Sequence, residues 1–221
     1  MQFVRNLASW NMISLPKSVG GWEIRYLPRL SLALASKSLW RALFGKNLWS
    51  EVIRKKYLHG MDSAFWLRQN KHINRTCSIF WKHLLDVVSV VKSWVIWKVG
   101  DGNRAIVGRD PFVGCVGNYK LSHELMVHLQ SLNIHTPTHI SSKYSNIRTG
   151  LGDWLTANEL DLSGDMKKEW EFFIQNIRKN GVSLFETGDR LVCSWNFKTG
   201  EVNAKLAYDS LVYKECRISL N

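Results

Sequence analysis

Apolar positions recur along the chain in two rhythms. From about Leu30, the residues Leu32, Ala35, Leu39 and Leu43 fall at helical spacing with Trp40 beside them, and Gly45 stands where a helix would stop. A second helix is expected from about Asn47 to Leu58, with Leu48, Val52 and Tyr57 near one face. Residues 76–92 predict a long helix with Thr76 as its cap and Ile79, Phe80, Leu84, Val87, Val88 and Val91 as its apolar stripe. The β-branched run from Val87 to Val91 weakens that helix toward its end.

The rhythm then changes. Trp94 to Val99 is strand-like, the turn Gly100-Asp101-Gly102-Asn103 follows, and Arg104 to Val107 would return as a second strand. A phosphate-cradling loop is the alternative reading of this Gly-rich turn, but the GxxxxGK[ST] spacing and a following helix are absent. Residues 108–152 are irregular apart from a short helix at 121–129. Residues 165–180 predict a helix capped by Asp165, with Trp170, Phe173, Ile174 and Ile177 on one face and Gly181 at its end. A strand at 190–195 and a closing helix at 202–215 complete the pattern. The opening stretch, with Pro16 and Gly20-Gly21, is turn-rich.

The expected fold class is therefore α+β: a mainly helical N-terminal half, a β-hairpin near the middle and a small C-terminal α/β piece. Shifts in composition suggest three parts, a basic helical segment with the hairpin (1–110), an irregular connector (111–150) and a C-terminal region (151–221).

Charge sharpens that division. Residues 1–110 hold 18 Lys and Arg against 6 Asp and Glu, whereas residues 111–221 hold 12 of each. A concentrated excess of +12 can attract phosphates and release their counterions. The chain's eleven Trp are an unusual number, and Trp and Tyr are interleaved with these basic residues; aromatic faces stack on bases where cations hold the backbone. The candidate contacts are Lys37, Arg41, Lys46, Arg54, Lys55, Lys56, Lys82 and Lys92, with Trp40, Trp49 and Trp81 behind or beside them. A structural reading competes at Arg54-Lys55-Lys56, since cations near a helix C-terminus also suit the helix dipole.

Catalytic chemistry is hard to find. No CxxC pair exists among Cys77, Cys115, Cys193 and Cys216, and Pro137 separates His135 from His139. No two acidic residues are adjacent, so the clustered carboxylates of two-metal chemistry are missing. No GxSxG elbow is present. No catalytic residue, metal or cofactor is expected. With four Cys and no stretch of roughly 18 apolar residues, an intracellular protein is expected, in nucleus or cytoplasm, with no membrane partner.

The ordered motifs resemble those of plant LINE-type (non-LTR) retrotransposon reverse transcriptases, in the segment downstream of the polymerase core. The resemblance rests on Trp10, Pro16-Lys17, Gly20-Gly21, Leu39-Trp40-Arg41, Leu48-Trp49, Val52-Ile53, Lys56-Tyr57, Phe80-Trp81-Lys82 and the Trp97-to-Gly102 turn with Asp110 and Gly114. Asp189, Trp195, Gly200 and Ala207-Tyr208 follow in the order of the start of that family's zinc-binding region. Trp22-Glu23 departs from the family's usual Leu-Gly, and Val107-Gly108 and Phe112 from its usual aromatics.

The resemblance implies a segment that helps grip template and primer. The polymerase's paired aspartates belong upstream of it, and the zinc ligands and any ribonuclease H domain belong downstream. A noncatalytic fragment or relic that retains RNA or DNA binding is the leading expectation. An acidic protein partner for the basic half is the alternative, as is a product with no selected function.

Overall fold

The computed structural model describes residues 9–15, 17–22, 24–69, 77–113, 116–141, 154–196 and 199–218, with the backbone alone at 10, 11 and 213–218. The elements run α1 (Trp10–Ile13), α2 (Leu27–Phe44), α3 (Leu48–Ile53), α4 (Ser63–Arg68), α5 (Ile79–Asp86) and α6 (Val88–Trp94). Then come β1 (Val95–Lys98), α7 (His123–Ser131), α8 (Pro137–Ile140), α9 (Gly164–Lys179), β2 (Arg190–Cys193) and α10 (Ala204–Ile218). The fold is α+β with a mostly helical N-terminal half, as the periodicity implies. The chain divides into two compact units, residues 1–93 with 202–221, and residues 94–201.

Unit 1 is built on α2. Pro28 sits in the first turn of α2, where its missing N–H costs no bond. Ala33, Ala35, Leu39, Trp40, Ala42 and Leu43 form the buried stripe of α2, and α10 packs against that helix. The Tyr208 hydroxyl on α10 accepts the Tyr26 amide at 2.8 Å, so the chain's last helix also ties down the entry to α2. Asn47 caps α3 through the Ser50 amide at 3.0 Å. The helix then widens into a π turn over Arg54–Leu58 and stops at His59 and Gly60, both at positive φ.

Trp81 is the hub of the core. It is almost fully buried, stacks on Tyr57 at 4.3 Å and meets Trp66 at 6.0 Å. The cap of α5 is Ser78, whose hydroxyl accepts the Trp81 amide at 3.2 Å. Thr76, the expected cap, lies outside the described residues. The expected continuous helix breaks at Val87, within the β-branched run, and resumes as α6.

In unit 2 the antiparallel strand pair is present, but its partners are far apart in sequence. β1 pairs with β2 in the register Val95↔Cys193, Ile96↔Val192, Trp97↔Leu191 and Lys98↔Arg190. The opposite edge of β1 is covered by residues 111–113: the Trp97 amide donates to the Pro111 carbonyl at 2.8 Å, and the Val113 amide to the Trp97 carbonyl at 2.7 Å. The return strand expected at 104–107 is instead a run of bends and turns. Helix α9 buries Trp170, Phe173, Ile174 and Ile177 as expected, and Gly181 follows it at φ +63°. Its N-cap is Ser163, so Asp165 sits inside the first turn rather than capping it, where its charge suits the dipole.

Candidate nucleic-acid interface

The charge excess follows the units. Unit 1 carries 18 Lys and Arg against 6 Asp and Glu, and unit 2 carries 12 of each. Unit 1 therefore holds the chain's whole net charge of +12, and seven of its eight candidate cations lie at the surface. Lys37 and Arg41 are exposed on α2, Lys46 before α3, Lys55 and Lys56 on the π turn, Lys82 on α5 and Lys92 on α6. Lys17 and Arg25 are exposed as well, beyond the candidates singled out by the sequence.

Arg54 is different. It is half-buried, and its Nη1 donates to the carbonyls of Ala42 at 3.2 Å, Leu43 at 3.4 Å and Gly45 at 2.7 Å. Those are the orphan carbonyls at the end of α2, which a cation there both bonds and neutralises. The basic cluster thus splits, with Arg54 turned inward as a clamp between helices and Lys55 and Lys56 facing solvent. Lys56 Nζ also lies 5.2 Å from the Tyr57 ring centroid. The Ser78 hydroxyl bonded to Tyr57, with Lys56 nearby, holds that phenol below its ordinary value.

The three candidate tryptophans also separate. Trp40 and Trp81 are core, while Trp49 is 38% exposed on α3. Arg41 Cζ lies 5.8 Å from the Trp49 ring centroid, and Phe80 meets the same indole edge-to-face at 6.3 Å. At the level of sequence Trp49 is indistinguishable from Trp40 and Trp81, and Phe80 falls in the apolar stripe of residues 76–92. No local signal separates a surface aromatic from a buried one when both fall at helical spacing.

The Gly-rich turn in unit 2 proves to be an anion cradle, and the anion is the protein's own. Asp189, nearly buried, accepts the backbone amides of Gly100 at 2.6 Å and Gly102 at 2.9 Å on Oδ1, and those of Arg104 at 2.8 Å and Ala105 at 3.3 Å on Oδ2. Gly102 sits at φ +73°, and a Cβ at Gly100 would collide with the Thr187 carbonyl, so both glycines are required. Residues 104–107 do not return as a strand because their amides are spent elsewhere: those of Arg104 and Ala105 on Asp189, that of Ile106 on Asp110 Oδ2 at 2.9 Å, and that of Val107 on the His135 carbonyl at 2.9 Å. Asp101 at the tip is held below its usual range, chiefly by its hydrogen bond from the Asn103 side chain.

Among the described residues, no group of three or more His, Cys, Asp or Glu could hold a metal ion. Burial pushes the Cys193 thiol up to about 11. No helix among the described residues is long and apolar enough to cross a membrane.

No family model and no solved structure matches the chain. The chain is similar to an Arabidopsis thaliana protein named as a candidate ribonuclease H protein, with 33% identity over 111 residues. The matched stretch takes in 49% of this chain and 17% of that relative, so the chain spans a small part of the relative's length.

Proposed function

We propose that this protein is a retroelement-derived, noncatalytic nucleic-acid-binding protein. It corresponds to the post-polymerase segment of a LINE-type reverse transcriptase, and unit 1 makes the contact. The observation that carries this reading is the segregation of the entire +12 into unit 1, with Lys37, Arg41, Lys46, Lys55, Lys56, Lys82 and Lys92 at its surface. The similarity to a plant protein with a ribonuclease H name, an activity that acts on nucleic acid, supports it.

Phosphate contacts release counterions, so affinity should fall steeply with salt. About four contacts on a duplex would weaken binding by roughly 100-fold between 50 and 200 mM salt. Anisotropy titrations of the full chain against structured RNA, single-stranded DNA and duplex DNA measure this directly. Salt-sensitive binding that weakens when Lys55 and Lys56 are reversed to Glu is expected. Absence of binding to all three by a folded sample would overturn the proposal.

A further inference from the structure

Cations alone would suit any polyanion, but unit 1 carries a second feature beside them. Leu48 and Trp49 on α3 and Phe80 on α5 remain exposed at 76%, 38% and 48%. Trp40, Tyr57, Trp66 and Trp81 are buried in the same unit; Trp22 and Phe65 are exposed as well, but Trp49 and Phe80 are the exposed pair in ring contact with each other. Trp49 and Phe80 meet edge-to-face with a 70° angle between their planes, so they present two differently oriented π-faces on adjoining helices. Arg41 stands against the Trp49 ring at 5.8 Å, and Lys46 precedes Trp49 by three residues. Contiguous exposed apolar surface of this kind marks a contact site.

Its chemistry identifies the contact. A partner that covers flat aromatic faces while satisfying the cations at their rim must bring π-surface and negative charge together. An unpaired nucleotide does so, because its base stacks and its phosphate pairs with the neighbouring cation. A duplex keeps its base faces inside the stack and offers only phosphates and groove edges. We infer that Trp49 and Phe80 form a stacking platform for the bases of an unpaired nucleic-acid strand, with Arg41 and Lys46 holding the adjoining phosphates. This inference rests on the nucleic-acid reading above and narrows it to single strands.

The test uses the full chain, a fluorescein-labelled strand of about 20 nucleotides, the duplex made from it, and the same strand carrying 2-aminopurine. Trp49→Ala and Phe80→Ala should each weaken strand binding by roughly tenfold or more, the usual effect of removing one stacking ring. Duplex affinity should stay within about twofold. Trp49→Phe and Phe80→Tyr should restore most of the loss, and bound 2-aminopurine should be quenched by the wild type but not by the alanine variants.

Strand binding that remains salt-sensitive but indifferent to both alanine changes overturns the platform and leaves the nucleic-acid reading standing. An equal loss for strand and duplex, or no quenching on the wild type, also overturns it. If neither probe binds, the platform fails, and if structured RNA is not bound either, the nucleic-acid reading fails with it. Self-association or protein capture that depends on Trp49, without any effect on strand binding, would reassign the patch to a protein partner.

Discussion

Three consecutive cations, Arg54, Lys55 and Lys56, should separate cleanly into one that holds the fold and two that hold the ligand. Arg54→Met keeps the aliphatic stem and removes the guanidinium. Three carbonyls then lose a bond, one short at 2.7 Å and two longer at 3.2 and 3.4 Å, and of these the Leu43 carbonyl keeps the Ser63 hydroxyl as a donor. A hydrogen bond from a charged donor contributes about 1.5–3 kcal/mol, and weaker geometry reduces the two long ones. Partial exposure of the site lowers the sum further, to a loss of about 2 kcal/mol. For a chain of this size that corresponds to roughly 4–8 °C in Tm.

Lys55 and Lys56 are exposed, so Lys55→Met and Lys56→Met should leave stability within about 0.5 kcal/mol. Each should instead weaken nucleic-acid binding about fivefold to tenfold near 0.1 M salt and flatten the salt dependence by roughly one contact. Thermal unfolding followed by circular dichroism, together with anisotropy titrations at two salt concentrations, gives both quantities for each variant. The reasoning fails if Arg54→Met leaves Tm unchanged while weakening binding as much as the lysine variants do.

Asp189→Asn should destabilise the protein by about 2–4 kcal/mol in urea titrations, because an amide NH₂ would face two backbone N–H donors in a nearly buried cradle. A loss below about 0.5 kcal/mol would show that the cradle does not hold the turn. Cys193, fully buried with its thiol pushed up to about 11, should resist iodoacetamide at pH 8 in the native protein and react once urea unfolds it. Because its folded pKa is raised, this thiol's contribution to stability is complete below about pH 8.5 and declines as pH climbs toward 11. Rapid native labelling of Cys193 would contradict that placement.

Local patterns carried most of the helices and little of the tertiary pairing. Leu39, Leu43 and Trp40 announce α2, and Trp170, Phe173, Ile174 and Ile177 announce α9, because a buried helical face writes its period into adjacent sequence. The strands at Val95–Lys98 and Arg190–Cys193 are equally legible, but their pairing with each other is not. The Gly-Asp-Gly turn supports a local return, and the competing interaction comes from Asp189, 87 residues beyond Gly102. The joining of residues 202–221 to the N-terminal unit leaves no local signal for the same reason, since α10 meets α2 only through tertiary contact.

The site was legible in kind rather than in detail. The basic excess and seven of its surface cations could be read directly, whereas the inward turn of Arg54 depends on where the carbonyls of α2 end. Trp49 and Trp81 look alike in sequence, and only packing makes one a surface ring and the other the hub of a core.

The most direct test of the central claim is the binding isotherm of the full, folded chain for a single strand and for duplex DNA, measured at 50 and 200 mM salt. Binding to both should weaken steeply with salt, with the strand favoured and its advantage lost in Trp49→Ala. Affinity that is absent at both salt concentrations, or unchanged between them, would show that the charge gathered in unit 1 does not serve to hold nucleic acid.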